Sequence, residues 1–312
     1  MADQQHHAWP HGHDPRPFVL VVPFPPGGVV DIIGRGLTEA VRPYLPAPIV
    51  LDFRPGDDGT RGISEVLRAP PDGHTLGLAA VAIFTVQPHL RTLSYRSPAD
   101  CAPIIRVASL PTVLVVRPDA PWPSLTALLA DARAHPGRLR LGLPGMGRMS
   151  HLNATQLLHM AGVRVTEVAF EGPKQIRALL DAQVDFAVAN QNAVLKDVRS
   201  GFLRVLGVFH TSRTPLFPEA PSVREFGYEL TLGPYHFLVA PRATPADVIG
   251  TLHDAFRAAL AEPSFAALAV EHGFTIDYQG SAALARDLAE LFDRCGHIVR
   301  AHGLSNSGTI RS

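Results

Sequence analysis

The sequence predicts an α/β fold of about two domains, with largely parallel sheets and helices on both faces. Three observations lead to this prediction. Strand-like and helix-like segments alternate along nearly all of the 312 residues. A buried-strand pattern at Phe18–Val22 runs through a proline- and glycine-rich turn into a helical pattern. The same order of strand, glycine turn and helix returns at residues 139–160.

The first strand and turn form the most informative segment. Its continuous apolar run, Phe18–Val22, is typical of a strand that is covered on both faces. Gly27 and Gly28 let backbone amides approach a bound group, and the following helix presents unpaired amides and its positive dipole end. This geometry favours a small anion, typically a carboxylate. A generic turn that binds nothing fits the same pattern.

Two common nucleotide-binding turns are excluded at this position. No Gly-Lys-Ser/Thr follows the turn, so it is not a Walker loop. No third glycine opens the helix at the required distance, so it is not a dinucleotide fingerprint.

The remaining elements follow from apolar runs and from breakers such as Pro136-Gly137. Further strands are predicted at 49–53, 75–80, 113–116, 139–143, 165–170, 184–189, 203–209 and 235–240. Helices are predicted at 60–68, after the N-cap Ser124, from Ser150, at 175–181, and through the C-terminal part of the chain.

Composition narrows the class of partner. Lys+Arg and Asp+Glu are equal at 28 each, and no basic stripe predicts nucleic acid as a partner. No apolar run is long enough to span a membrane. Cys101 and Cys295 lie far apart in sequence, and we expect two separate thiols.

Residues 1–16 are polar and rich in histidine, and they predict a disordered tail. Histidine clusters can bind metal, whereas a solvated tail with incidental metal affinity is the simpler interpretation. The segment lacks the basic start, apolar centre and cleavage site of a secretory signal.

A family resemblance rests on motifs that occur in the family's order. The segment Pro23-Phe24-Pro25-Pro26-Gly27-Gly28-x-x-Asp31 resembles the start of the Bug family, the substrate-binding receptors of tripartite tricarboxylate transporters. The other landmarks are Arg54-Pro55-Gly56, Pro71-Asp72-Gly73-x-Thr75-Leu76, Pro88-His89-Leu90, Val113–Val116, Gly145-x-Gly147-x-x-Ser150-His151-Leu152, Gln183-Val184-Asp185 and Ala240-Pro241-x-x-Thr244-Pro245.

The resemblance implies a two-lobed periplasmic-binding-protein (Venus flytrap) fold, in which each lobe is a mostly parallel sheet flanked by helices. Lobe one would comprise 17–115 and 230–312, and lobe two 116–229. The implied function is an extracytoplasmic receptor that captures a small carboxylate in a cleft between closing lobes. It would deliver this ligand to the membrane components of a tripartite transporter. The resemblance also implies a monomer without cofactor, metal or catalytic residues, located in the periplasm. Because the sequence shows no secretory signal, a cytoplasmic location remains an alternative.

The resemblance assigns ligand binding to a set of positions around the two turns. They are Phe24, Pro26, Gly27, Gly28, Val29, Asp31, Ala82, Gly145, Gly147, Arg148, Ser150, His151, Phe170, Asn190 and Tyr235. Asp31 is expected to hold the helix start rather than to contact an anion. Arg148 stands where the family has a small hydroxyl residue, and it either pairs with a ligand carboxylate or faces solvent. For His151 we expect packing or hydrogen bonding.

Departures from the family pattern point to the ligand class. Val29 and Val30 replace frequent hydroxyl residues, and 80–83 is similarly apolar. Ala189 stands where the family often has an aspartate, which disfavours an amino-acid ligand because an ammonium group needs a partner. An aromatic or hydrophobic monocarboxylate therefore fits better than citrate.

Two other functions stay open. One is a cytosolic α/β enzyme that acts on a small organic acid. Against it, the chain has no Gly-x-Ser-x-Gly elbow, no His-Glu-x-x-His and no paired-carboxylate motif. The other is a ligand-sensing partner of a signalling protein, which would use the same fold.

Overall fold

The computed structural model describes residues 15–229 and 232–304. The chain divides into two compact units. Unit 1 contains the chain up to Ser109 and again from Tyr235, and unit 2 contains Leu110–Pro234. The predicted tail at 1–16 lies outside the described residues except for its last two positions. There, the Arg16 guanidinium pairs with the Asp72 carboxylate at 3.1 Å.

The strands, in chain order, are β1 (Phe18–Val22), β2 (Ile49–Phe53), β3 (Thr75–Ala80), β4 (Cys101–Ser109), β5 (Thr112–Val116), β6 (Arg140–Leu143), β7 (Thr166–Ala169), β8 (Phe186–Asn190), β9 (Arg204–Phe209), β10 (Tyr235–Pro241) and β11 (Thr275–Gly280).

The α-helices are α1 (Val29–Val41), α2 (Thr60–Arg68), α3 (Val81–Thr85), α4 (Gln87–Leu90), α5 (Leu125–Ala134), α6 (Met149–Met160), α7 (Lys174–Leu180), α8 (Gln191–Arg199), α9 (Ala246–Leu260), α10 (Pro263–His272) and α11 (Ser281–Ala301). Short 3₁₀ turns lie at Arg42–Tyr44, Asp57–Gly59, Pro98–Asp100 and Val223–Phe226.

Each unit is built on its own sheet. In unit 1 the strand order is β11-β4-β10-β3-β1-β2, and in unit 2 it is β7-β6-β8-β5-β9. Strand β1 runs parallel to β2 and β3, and β6 runs parallel to β7 and β8. The α/β prediction of two helix-flanked sheets is thus confirmed.

Both sheets are mixed in direction, because certain strands oppose their neighbours. Strand β10 is antiparallel to β3 and β4, β11 is antiparallel to β4, and β5 is antiparallel to β8 and β9. Strands β5 and β10 are the first that the chain forms after it enters unit 2 and after it returns to unit 1. In each sheet, the strand that forms just after a crossing therefore runs opposite to both of its neighbours. The prediction of largely parallel sheets did not include these reversed strands.

The core of unit 2 lies on both faces of its sheet. All five residues of β5 are buried. Leu114 and Val116 pack with the apolar faces of α5 and α6, whereas Val113 and Val115 pack with those of α7 and α8. A strand with core on both sides needs a continuous apolar run, which is the pattern in the sequence.

The observed crossings differ from the boundaries expected after 115 and after 229. The first crossing comes after Ser109, because the whole of β5 pairs within unit 2. The second lies between Pro234 and Tyr235. Strand β11 also interrupts the C-terminal region that was predicted as helices alone.

Two further expectations concern the cysteines and the membrane. Cys101 and Cys295 are both buried free thiols, as expected, and burial raises the pKa of Cys295 to about 12. Within the described residues, we find no helix with the length and apolar character that crossing a membrane requires.

Candidate ligand-binding turns

The predicted residues of unit 1 gather at one edge of its sheet. Strands β2, β1 and β3 are adjacent and parallel, so their carboxyl ends lie together. The turn from Phe24 to Gly28 follows β1, and Ala82 follows β3 in the first turn of α3. The carboxyl edge of such strands is where α/β proteins bind ligands.

The first turn is held by Asp31. The Gly27 amide, in a residue with a φ of +91°, donates to Asp31 Oδ2 at 2.8 Å. Arg35 Nε donates to Asp31 Oδ1 at 2.6 Å, and Asp31 is only 6% exposed. Both carboxylate oxygens are therefore engaged within the turn and its helix, in keeping with the expected role at the helix start. The Gly27 amide therefore already has its acceptor within the turn.

The next amides of this turn have no acceptor in the helix. Ile32 makes the first bond of α1, from its amide to the Gly28 carbonyl at 3.2 Å. The N-cap Gly28 provides no side-chain cap. Helix geometry thus leaves the amides of residues 29–31 unsatisfied by α1. By contrast, Ser124 caps α5 by accepting from the Ala127 amide at 3.2 Å.

An apolar wall stands beside the first turn. A Cβ on Gly59 would lie 3.0 Å from Phe24 Cζ and 2.8 Å from Ile83 Cδ1. Gly59 also has a φ of +91°, so a side chain is disfavoured there on both counts. Phe24 is half-buried and Ile83 is fully buried. Sequence analysis assigned Phe24 to ligand binding and counted Ile83 within the apolar stretch 80–83, without assigning Ile83 itself to the site.

Unit 2 repeats this arrangement with its own strands. Strands β7, β6 and β8 are adjacent and parallel, and their carboxyl ends share an edge. The turn with Gly145 and Gly147 follows β6, Phe170 follows β7, and Asn190 ends β8. The predicted residues of unit 2 are thus brought to one edge.

The second turn is held by His151. Gly145 and Gly147 have φ values of +132° and +69°. The Gly147 amide donates to His151 Nδ1 at 3.0 Å, four residues on, as Gly27 does to Asp31. His151 is 1% exposed, which agrees with a packing and hydrogen-bonding role. Ser150 is buried inside the first turn of α6, and the N-cap is Arg148.

Arg148 lies back over the second turn. Its Nε is 3.0 Å from the position that a Cβ on Gly145 would take, and the Phe170 carbonyl oxygen is 3.8 Å from the same point. The Arg148 side chain is half-buried and makes no cap to α6. The Leu152 amide makes the first bond of that helix, to the Arg148 carbonyl at 3.0 Å. A guanidinium therefore lies next to a helix start whose first amides have no helical acceptor.

Tyr235 is engaged inside unit 1, and its assignment to ligand binding stays a prediction. Its hydroxyl donates to Asp287 Oδ2 of α11 at 2.6 Å, and its ring lies 5.0 Å from the Arg106 guanidinium carbon. The residue is 4% exposed, and burial raises the pKa of its phenol. Tyr235 is thus held by its own unit's core.

The neighbouring His236, which the resemblance places beside Tyr235 at a cleft-lining position, was not assigned to ligand binding. It pairs with Ala80, the last residue of β3, on the face of the sheet opposite to Tyr235. The next pair on that face, Leu238 with Leu78, lies against α1, because Leu78 is 3.6 Å from where a Cβ on Gly34 would stand. Burial lowers the pKa of His236 to about 4, so a neutral imidazole lies at the carboxyl end of β3.

One open hollow of about 380 Å³ lies elsewhere on unit 1, near Val19 and Thr75 at the amino ends of β1 and β3. Arg54 in its lining already donates to Asp52 at 2.8 Å and to Glu65 at 2.7 Å. The hollow therefore lies toward the other end of the strands from the glycine turns, and Arg54 in its lining is already paired with two carboxylates.

Comparison with known proteins decides the family. The sequence profile of the tripartite tricarboxylate transporter family receptor (TctC) matches residues 33–304. The chain belongs to this receptor family. Protein BugT of Bordetella pertussis is 32% identical over 246 residues, which cover 76% of this chain and 74% of BugT. The resemblance to the Bug family is thereby confirmed.

The solved structures to which this chain is similar include complexes with carboxylates. A R. palustris protein with adipate has a TM-score of 0.81 at 26% identity, covering 93% of this chain and 98% of its own. MatC from Rhodopseudomonas palustris with bound malate has a TM-score of 0.78 at 27% identity, covering 92% and 100%. As a member of the TctC family, the chain is a solute-binding receptor with the fold of these proteins.

Proposed function

We propose that this TctC-family receptor binds a small carboxylate through the backbone amides at the starts of α1 and α6. In this proposal the receptor works as a monomer in the periplasm, and it passes the acid to the membrane components of a tripartite transporter. The function needs no cofactor and no catalytic residue.

The observation that supports this function is the similar construction of the two turns. In each, a glycine amide is bound by a side chain four residues later, at 2.8 Å in the first turn and 3.0 Å in the second. Each leads into a helix without a side-chain cap. Unsatisfied amides and the positive dipole end are a ready site for an anion. Adipate and malate in the related structures are carboxylates.

The side chains around the turns favour an acid with one carboxylate and an apolar remainder. Phe24 and Ile83 form a wall beside the first turn, and Val29 offers no hydroxyl. In unit 2, Ala189 is fully buried where an aspartate would supply a polar contact. Arg148 supplies the cation that pairs with the carboxylate. We therefore propose an aromatic or hydrophobic monocarboxylate as the ligand class.

Isothermal titration with benzoate, adipate and citrate tests the ligand class. We expect benzoate to bind most tightly, because its ring replaces water against apolar side chains. Arg148→Ala should weaken the binding of benzoate by about 10-fold to 100-fold, the effect of losing one charged hydrogen bond. Arg138→Ala is the matched control, since its exposed guanidinium pairs with Asp131 in the same unit. Binding of citrate alone would contradict the proposed class.

Transport is tested separately in cells of the source organism. Deletion of the gene should abolish uptake of the radiolabelled acid at low concentration, and the tagged protein should fractionate with the periplasm. Normal uptake after deletion would show that the receptor serves another purpose.

A further inference from the structure

The bond between Gly147 and His151 fixes the protonation state of the imidazole. Because the Gly147 amide is a donor, His151 Nδ1 must carry a lone pair, and the ring proton resides on Nε2. We propose that neutral His151 is a latch that holds the second turn in its ligand-receiving conformation, and that protonation of Nδ1 opens the latch. The link to ligand rests on the proposed function, whereas the latch itself does not.

Unit 1 performs the same task with a different chemical group. There the acceptor is the Asp31 carboxylate, 2.8 Å from the Gly27 amide at the same four-residue spacing. A carboxyl group offers an acceptor oxygen in both of its protonation states, whereas an imidazole nitrogen accepts only when it carries no proton. Of the two turns, the second alone is therefore built to respond to mild acid.

The two ring nitrogens of His151 have different surroundings. His151 is 1% exposed, and its Nε2 makes no hydrogen bond within the described residues. Glu167 of β7 is the nearest opposite charge, with Oε2 3.7 Å from Nε2, beyond hydrogen-bond distance. The Gly147 donor is compatible only with a ring that carries no proton on Nδ1, and the Glu167 carboxylate lies beside the other ring nitrogen.

Among the described residues, two strands that pack on α6 carry no titratable side chain. Strands β5 and β8, which also pack on α6, have the sequences TVLVV and FAVAN. On the turn and helix themselves, the other charged or titratable residues are Arg148 and His159, and His159 is exposed in the last turn of α6. Gly147 and Glu167 are thus the groups that face the two ring nitrogens of His151.

Protonation would place two donors against each other. The new Nδ1–H would face the Gly147 N–H across 3.0 Å, while Nε2–H gains attraction to Glu167. Gly145 and Gly147 both adopt positive φ and belong to the most flexible residue type, so the turn can change shape readily once this bond is lost. Loss of the latch should therefore disorder the amides that precede α6 and release an anion.

Nitrogen NMR of the full chain without ligand tests the latch directly. At about pH 8 we expect the Nε2–H tautomer of His151 and a Gly147 amide protected from exchange. Both signals should change together as the pH is lowered and Nδ1 takes up a proton. Glu167→Gln should move this change to lower pH. The proposal would be overturned by an Nδ1–H tautomer at about pH 8, or by a Gly147 amide whose protection from exchange does not change with pH.

His151→Asn separates the latch from general acid effects, because an amide oxygen accepts a hydrogen bond without titrating. Titration with benzoate and adipate should show at least about 10-fold weaker binding by the wild type at pH 5 than at pH 8, and little change in His151→Asn. His159→Asn, on the same helix, should behave as wild type. An unchanged pH dependence in His151→Asn would refute the link to ligand. If neither acid binds at any pH, the proposed function fails, and the NMR result alone decides the latch.

Discussion

The Tyr235 hydroxyl donates to the Asp287 carboxylate at 2.6 Å, tying the first residue of β10 to α11. Arg106 lies over the same ring, with its guanidinium carbon 5.0 Å from the ring centroid, and pairs with Asp277 at 2.6 Å. These contacts lie inside unit 1, and they give Tyr235 a stabilising role.

Tyr235→Phe should destabilise the protein and leave ligand affinity unchanged. The substitution removes the hydroxyl and leaves Asp287 without this donor, which should cost about 1–3 kcal/mol of unfolding free energy. Urea denaturation measures the loss, and benzoate titration measures the affinity. Tyr278→Phe is the control, because that tyrosine is 46% exposed. A selective loss of affinity in Tyr235→Phe would instead support the ligand-binding role expected from the sequence.

Asp31→Ala should weaken the start of α1. It removes the acceptor of the Gly27 amide, the partner of Arg35 and a negative charge near the helix N-terminus. We expect a loss of about 1–2 kcal/mol in unfolding free energy. Glu39→Ala on the same helix removes only an exposed pair with Arg42 and should change stability by less than about 0.5 kcal/mol. Equal losses in the two variants would mean that the Gly27 bond contributes nothing.

His236 should make the protein sensitive to acid. Burial lowers its pKa to about 4 in the folded state, against about 6.5 in an unfolded chain. The unfolded state therefore binds the proton first, and stability falls as the pH drops from about 6.5 to about 4. The contribution is on the order of 3 kcal/mol. Denaturation at several pH values should show a shallower dependence in His236→Phe, and the wild-type dependence in the exposed control His297→Gln.

Gly145→Ala should disturb the second turn through both strain and contact. Gly145 has a φ of +132°, and a Cβ there would meet Arg148 Nε at 3.0 Å. Gly137, also in unit 2, has a φ of +79° with no atom within 4 Å of an added Cβ. We expect Gly145→Ala to weaken the binding of benzoate by at least about 10-fold, and Gly137→Ala to cost only stability. Titration and denaturation of both variants check this; equal affinities would exclude the Gly145 turn from the site.

Part of this structure follows directly from local sequence. The apolar run Phe18–Val22 and the helix Thr60–Arg68 have the predicted bounds, because breakers flank them on both sides. The two glycine turns were also located, since few other contexts need glycines between a buried strand and a helix. In both cases the signal lies within a few residues of the feature.

The features that sequence missed depend on distant parts of the chain. All residues of β10 are buried, so polarity does not reveal which face Tyr235 occupies. Its partner Asp287 is 52 positions away. Strand β11 has mostly half-buried residues and no apolar run, so it is recognised as a strand mainly by its pairing with β4. The direction of β5 likewise follows from pairing.

Ser109 and Tyr235 are directly opposed in the antiparallel pair of β4 and β10. The whole of unit 2 is therefore inserted between two residues that face each other in the sheet of unit 1. Joining Ser109 to Tyr235 through a tight hairpin turn would remove unit 2 while keeping β4 and β10 in register. The chain thus has the layout of a domain insertion, in which a complete second domain occupies the hairpin connection of the first.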